Sequence, residues 1–363
     1  MRFVPIFCLR NGMICGDSLY GERGELVLAR NTVLTADLIL SIRKLNYNGI
    51  YVVDDISKDI PIVNTINDRV RAQTVNGLKD IFICNDKNLP VSQEKFTDME
   101  NHIETIVDEI LKNKNMMVNM VDLKVFDDYT YYHSVNVAVL SIVLGTALGL
   151  DKTELCNLGF GALLHDIGKV FIDKDILNKR GPLTDDEFKQ MKKHPSLGYD
   201  YLIKEFGGSL SSQLGILDHH EKFRGDGYPN DIKGEDISLF GRIISIADVY
   251  DALASDRPYR KALIPSEAIE YIMGATYTFF DPELVKVFIT KIAPYPVGTC
   301  VKLSNGLIGI VTENFESYCL RPNVRVFQDG DFKVTPFEIR LADHKSLNIT
   351  VIDFAEDFSN SDA

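Results

Sequence analysis

Short apolar runs broken by turn residues fill roughly the first sixty positions, and a helical repeat of apolar positions replaces them further on. Phe3-Val4-Pro5-Ile6 and Glu25-Leu26-Val27-Leu28 alternate with Asn11-Gly12, Gly16-Asp17 and the Gly21 to Gly24 turn, which predicts short strands. Leu38, Ile42 and Leu45 recur on one face, predicting a helix over 35–45. Asn48-Gly49 ends it, and Ile50-Tyr51-Val52-Val53 reads as a further strand. This is a small mixed α/β domain.

From about Ser92 to Ala293 the pattern is almost wholly helical, with Ile103, Ile106, Val107, Ile110 and Leu111 at helical spacing. Val135 to Leu150 is apolar on most faces, but it is short for a membrane span and carries Asn136 and Ser141, so it predicts a buried helix. Asp151 with Glu154, and Thr184 with Glu187, have the spacing of capping boxes. The first of these helices is expected to run through Leu164 into His165-Asp166, the second towards His194. Ile243 to Leu253 and Ser266 to Gly274 complete the helical set.

Pro294-Tyr295-Pro296 breaks the repeat. Cys300 to Leu303 and Leu307 to Val311 flank Ser304-Asn305-Gly306, a hairpin signal, and Val324 to Phe327 and Ile349 to Ile352 continue as strands. The expected organisation is an accessory α/β domain over 1–90, a helical domain over 91–294, a small β-barrel-like domain over 295–355 and a polar tail over 356–363. No internal repeat is evident.

Composition adds little to the fold and narrows the partners. The apolar fraction of 45% supports sizeable cores, and a net charge of -13 argues against binding polymeric nucleic acid through a basic surface. The six cysteines form no CxxC pair, which points to free thiols in a reducing compartment. Met1 to Pro5 lacks a secretory apolar core, so a cytoplasmic location without membrane insertion is expected.

Metal chemistry is where the sequence is informative. His165-Asp166 can offer an imidazole and a carboxylate to one ion, and the second carboxylate oxygen can bridge to another. His219-His220 is a second adjacent pair, flanked by Asp218 and Glu221. Asp248 follows the apolar run Ile243 to Ala247, where a carboxylate is costly to bury without a cation. His/carboxylate ligands without thiolate suit Fe, Mn, Co, Ni or Zn. Two close ions lower the pKa of a bound water and hold attacking and leaving oxygens in line, as phosphoryl transfer requires. His133, taken alone, reads as a core histidine, and His102, on a charged helix face, and His344, in the β segment, read as non-ligating.

His165-Asp166-Ile167-Gly168-Lys169 together with His219-His220-Glu221 and the loop Arg224-Gly225-Asp226-Gly227-Tyr228-Pro229 resembles the HD-GYP phosphodiesterases, bacterial enzymes that hydrolyse cyclic di-GMP or related cyclic dinucleotides. Further segments support the resemblance across about 120–293: His133 to Ala138, His194-Pro195 with Gly198, and Ala247 to Leu253 followed by Asp256 to Arg260. The resemblance implies an HD-type helical bundle holding two divalent ions, commonly iron or manganese. His133, His165, Asp166 and Asp248 would hold one ion. Asp166 would bridge to a second, completed by His194, His219 and His220. Lys169 would reach a substrate phosphate and act with Asp166 in catalysis. Arg257 and Arg260 would bind the other phosphate or the ligand periphery. Gly225, Gly227, Tyr228 and Pro229 would shape the mouth of the site, with the glycines as positive-φ or close-approach positions.

Two departures stand out. Arg224 occupies the position before the first loop glycine where the family carries Asp, and Asp226 follows two residues later. Tyr129 stands where some members place a third-metal Glu, so two metals are expected. The expected activity is cleavage of a cyclic dinucleotide to the linear dinucleotide, with further cleavage to the mononucleotide as a slower step. The alternatives are a cyclic-dinucleotide receptor with weak catalysis, for which Arg224 argues, an HD phosphohydrolase of another phosphoester, and a scaffold whose terminal domains form homodimers or bind protein partners.

Overall fold

The computed structural model describes residues 1–355 apart from 22, 46, 87–88, 114–116, 119–128, 180 and 256–261. The chain is mainly helical, with a small sheet before the helices and a larger one after them. Strands β1 (Arg2–Pro5), β2 (Ile14–Cys15), β3 (Leu19–Tyr20) and β4 (Leu26–Leu28), helix α1 (Ala36–Lys44) and strand β5 (Gly49–Val53) form the first unit. β5 lies between β1 and β2 in an antiparallel sheet, and β3 pairs with β4. Thr35 caps α1 by accepting the Leu38 N–H, and Ile39 and Ile42 join Val4, Leu34 and Ile50 in one small core.

The helices are α2 (Asp68–Asp86), α3 (Gln93–Lys112), α4 (Tyr129–Ala147), α5 (Lys152–Leu163), α6 (Lys174–Leu177), α7 (Asp185–Met191), α8 (His194–Glu205), α9 (Leu210–Asp218), α10 (Leu239–Ala254), α11 (Pro265–Gly274) and α12 (Pro282–Lys291). One buried cluster runs through them, from Leu78 and Ile81 of α2 to Ile106, Ile142, Leu158, Ile216 and Ile246. The sequence reading began the helices near Ser92, yet α2 already belongs to this core. Its apolar stripe is narrow, Val75, Leu78, Ile81 and Phe82 among polar neighbours, and becomes legible only against its packing partners.

Both expected capping boxes form, at Asp151 and Thr184. Two helix ends differ from expectation. α5 stops at Leu163, so His165-Asp166 sits in the turn beyond the helix, ahead of the 3-10 turn Ile167–Phe171. The helix opened by Thr184 stops at Met191, and a separate helix starts at His194. Pro195 explains the break, because it has no N–H to donate to the Met191 carbonyl.

Strands β6 (Cys300–Leu303), β7 (Leu307–Glu313), β8 (Asn323–Asp329), β9 (Phe332–Arg340) and β10 (Val351–Phe354) follow. The hairpin at Ser304-Asn305-Gly306 forms as read. A β-barrel-like domain was expected here. The strands form one antiparallel sheet in the order β10-β6-β7-β8-β9, with no β9–β10 pairing among the described residues. This sheet packs on the first unit: Ile60 shares a core with Cys300, Ile310 and Phe327, and Arg325 pairs with Asp59 at 2.6 Å. All six cysteines are free thiols. No helix among the described residues is long and apolar enough to cross a membrane.

Candidate metal centre

His133 of α4, His165-Asp166 beyond α5, His194 at the start of α8, His219-His220 at the end of α9 and Asp248 of α10 converge in the helical core. They form two groups, His133/His165/Asp248 and Asp166/His194/His219/His220, within each of which the ligand atoms lie within 4.8 Å of one another. Asp166 faces both. Its Oδ2 lies 3.4 Å from His165 Nε2 and its Oδ1 3.4 Å from His194 Nε2. All seven candidate ligands are therefore brought together, while His102 and His344 lie in neither group.

Helix ends aim three of these rings. An α-helix leaves its last carbonyls without intrahelical donors. His165 Nδ1 lies 2.8 Å from the Ala162 carbonyl, His194 Nδ1 2.8 Å from that of Met191, and His219 Nδ1 2.6 Å from that of Ile216. Each histidine follows a helix C-terminus and caps a carbonyl of its last turn. The Met191 carbonyl is open to His194 because Pro195 cannot donate to it. A carbonyl only accepts, so each Nδ1 carries the proton and each neutral ring turns its Nε2 lone pair into the cluster.

Those lone pairs need a cation. His194 Nε2 and His219 Nε2 face each other at 3.4 Å, two acceptors with no proton between them. His165 Nε2 and Asp166 Oδ1 are buried without a hydrogen-bond partner. Burial lowers the His194 pKa to about 4 and that of His220 to about 3, and drives His219 well below its ordinary value. All three are therefore neutral near pH 7, as metal ligation requires. Burial works against charge on His133 too, but Asp248 and Asp251 outweigh it and raise its pKa to about 9. Burial opposes ionisation of Asp166, yet the Lys169 ammonium holds its carboxyl well below the usual range. The donor set fits divalent metal.

Lys169 Nζ sits 2.5 Å from Asp166 Oδ2 with its side chain partly exposed, at the edge of the second group. Gly168 lets this segment lie against α8: a Cβ there would meet the His194 carbonyl oxygen at 1.9 Å and the Gly198 nitrogen at 2.6 Å. In the Gly-Tyr-Pro loop, Gly225 has φ +94, and a Cβ on Gly227 would meet Glu221 Cα at 2.4 Å. Tyr228 lies over His220, ring centroids 4.7 Å apart. Arg224 is turned to Asp226 of its own loop, Nε 2.6 Å from Oδ1. Arg257 and Arg260 fall outside the described residues, as does the side chain of Tyr129.

Sequence reasoning missed the supports. Asp251 accepts from His133 Nδ1 at 2.7 Å and from Asn136 at 2.9 Å. Asp251 stands three residues after Asp248 on α10, and Asn136 three after His133 on α4. That i, i+3 spacing of a second polar residue in an apolar helix was the available signal. Asp218 and Glu221 are not in either ligand group. Asp218 accepts the Ser238 N–H at the start of α10, and Glu221 accepts the Asn230 N–H of the loop.

Residues 106–284 match the HD domain family. The chain is 40% identical over 237 residues to PA4108, a cyclic di-GMP phosphodiesterase of Pseudomonas aeruginosa, covering 64% of this chain and 57% of that protein. It is 35% identical over 196 residues to the 3'3'-cGAMP-specific phosphodiesterase 3 of Vibrio cholerae, covering 54% of this chain and 40% of that protein. The chain thus spans about half the length of these curated relatives. In fold it resembles Bd1817, an HDG"Y"P protein from Bdellovibrio bacteriovorus, with a TM-score of 0.50 at 19% identity over 79% of this chain and 97% of that one. The matched segment is an HD domain, and its paired motifs resemble those of the HD-GYP phosphodiesterases.

Proposed function

We propose that the chain is a metal-dependent phosphodiesterase that hydrolyses cyclic di-GMP, or a related cyclic dinucleotide, to the linear dinucleotide. The observation that carries this reading is Asp166 standing between two ligand groups, one oxygen towards each. Two divalent ions, iron or manganese, would be held by His133, His165, Asp166 and Asp248 on one side and by Asp166, His194, His219 and His220 on the other. Bound there, they would supply Lewis-acid activation of water and charge stabilisation at phosphorus. The protein's part is to keep five imidazoles aimed, to hold Asp166 ionised, and to present Lys169 to a phosphoryl oxygen.

Gly225, Gly227, Tyr228 and Pro229 would line the mouth, with Tyr228 offering a face to a base or ribose. Relatives named for cyclic di-GMP and for 3'3'-cGAMP support the substrate class and leave the base preference to experiment. The receptor alternative drew on Arg224, and its pairing with Asp226 supports the enzyme reading over it. We further read the N-terminal unit and 295–355 as accessory domains that meet a second copy or a protein partner, around a cytoplasmic enzyme domain that takes in α2 as well as 91–294.

The test is elemental analysis of anaerobically purified protein, coupled to product analysis with cyclic di-GMP and its mixed and adenine analogues. Asp166→Ala is expected to abolish turnover and lower metal content. Retained turnover in that variant overturns the assignment.

A further inference from the structure

The ligand candidates differ in what fixes their aim. His165, His194 and His219 are tied to carbonyls of the helix just before them, so local backbone decides their orientation. His133 lies inside α4, where main-chain carbonyls serve the helix itself. Its Nδ1 is held instead by a side chain of another helix, Asp251 of α10, at 2.7 Å.

That support continues outwards. Asp251 Oδ1 accepts from Asn136 Nδ2 at 2.9 Å, and Asn136 Oδ1 accepts from an Arg71 guanidinium nitrogen at 2.7 Å. A guanidinium only donates and a carboxylate only accepts, so the amide between them has one permitted orientation, oxygen to Arg71 and nitrogen to Asp251. His133, Asn136 and Asp251 are each 5% exposed or less, so a misdirected donor or acceptor here has no water to turn to.

Arg71 belongs to α2, ahead of the 106–284 HD segment. The first turns of α2 also meet the N-terminal unit. The chain at Gly24 packs against Gln73 and Arg69, where an added Cβ would be 3.0 Å from the Gln73 side chain.

We propose that Arg71 is a positioning residue. It forms the outer end of an Arg71–Asn136–Asp251–His133 relay through which α2 and the N-terminal unit set the affinity of the His133/His165/Asp248 group for its divalent cation. The Asp166/His194/His219/His220 group, with His194 and His219 anchored on local carbonyls, stands outside this control. The inference rests on the two-metal reading above and deepens it by giving one half-site an external support.

The experiment titrates the metal-free full-length chain with Co2+, then Mn2+, against a competing chelator, resolving the two equivalents by affinity and by the Co2+ absorption spectrum. Loss of an outer-shell partner of a ligating histidine typically weakens metal binding about 10- to 100-fold. Arg71→Ala should weaken one equivalent by about tenfold and leave the other within about twofold. Asn136→Asp, which sets an acceptor against Asp251, should do at least as much to the same equivalent. Arg71→Lys, which keeps a cationic donor, should recover most of the affinity. Two unchanged equivalents in Arg71→Ala overturn the relay, and so does equal weakening of both. If Arg71→Ala fails to fold, Arg71→Gln against Arg71→Lys carries the comparison, and equal affinities in that pair overturn it. A wild-type chain that binds no metal would instead sink the metal reading beneath it.

Discussion

The Arg224 guanidinium is held by Asp226 of its own loop, Nε 2.6 Å from Oδ1 and a terminal nitrogen on Oδ2. The same guanidinium lies 5.6 Å from the centre of the Phe279 ring. The cation that replaces the family's Asp before Gly225 is thus neutralised by an acid two residues on.

It follows that Arg224 matters little to the chemistry. Both partners are about half exposed, and pairs of that kind contribute weakly. Arg224→Ala should change kcat/KM for cyclic di-GMP by less than about fivefold and leave metal stoichiometry unchanged. A hundredfold loss in steady-state assays would show that the guanidinium meets substrate.

Lys169 should behave in the opposite way. Its ammonium is the one cation seen on Asp166 among the described contacts of that carboxylate, and it reaches the edge of the site. Lys169→Met should lower kcat by about a hundredfold, the usual cost of losing one donor to a developing oxyanion, with a smaller change in KM. Metal analysis should show both ions retained. A kcat within threefold of wild type rules out contact with the reacting phosphate.

Gly168 should be intolerant for a packing reason. The Cβ of Gly168→Ala would sit 1.9 Å from the His194 carbonyl oxygen, so the turn and α8 must separate. Urea denaturation should show a loss of about 1–3 kcal/mol or more, with reduced metal content because His194 moves. Gly274→Ala meets nothing within 4 Å and is the matched control, expected to be neutral or slightly stabilising. Equal stability of the two variants would contradict the close approach described here.

Metal should stabilise the fold measurably. Without a cation, His194 Nε2 and His219 Nε2 oppose each other at 3.4 Å, and His165 Nε2 is buried unpartnered. Thermal melting should shift down on chelation and up on adding Mn2+, by about 2.7 kcal/mol at a hundredfold excess over Kd. Asp166→Ala should lose most of that increment. A melting temperature indifferent to both chelator and Mn2+ would count against the site.

The sequence by itself supplied most of the candidate ligands. His165-Asp166, His219-His220 and Asp248 stood out because a carboxylate beside adjacent imidazoles in apolar surroundings is costly without a cation. Capping boxes at Asp151 and Thr184, the break at Pro294-Tyr295-Pro296 and the hairpin at Asn305-Gly306 were legible for a similar reason: each is a local rule satisfied within a few residues. Even Pro195, which opens the Met191 carbonyl for His194, was there to be read.

Only the tertiary structure decided which polar groups meet across the core. Asp251 reaches His133 from a helix 118 positions away, and Arg71 reaches Asn136 from one 65 positions away. Neither pairing leaves a periodic trace, because a buried hydrogen bond depends on how two helices pack and not on spacing within either. The narrow stripe of α2 was silent for the same reason, gaining its meaning from the core it completes. Residue chemistry supplied the candidate ligands, local helix ends aim His165, His194 and His219, and helix packing aims His133.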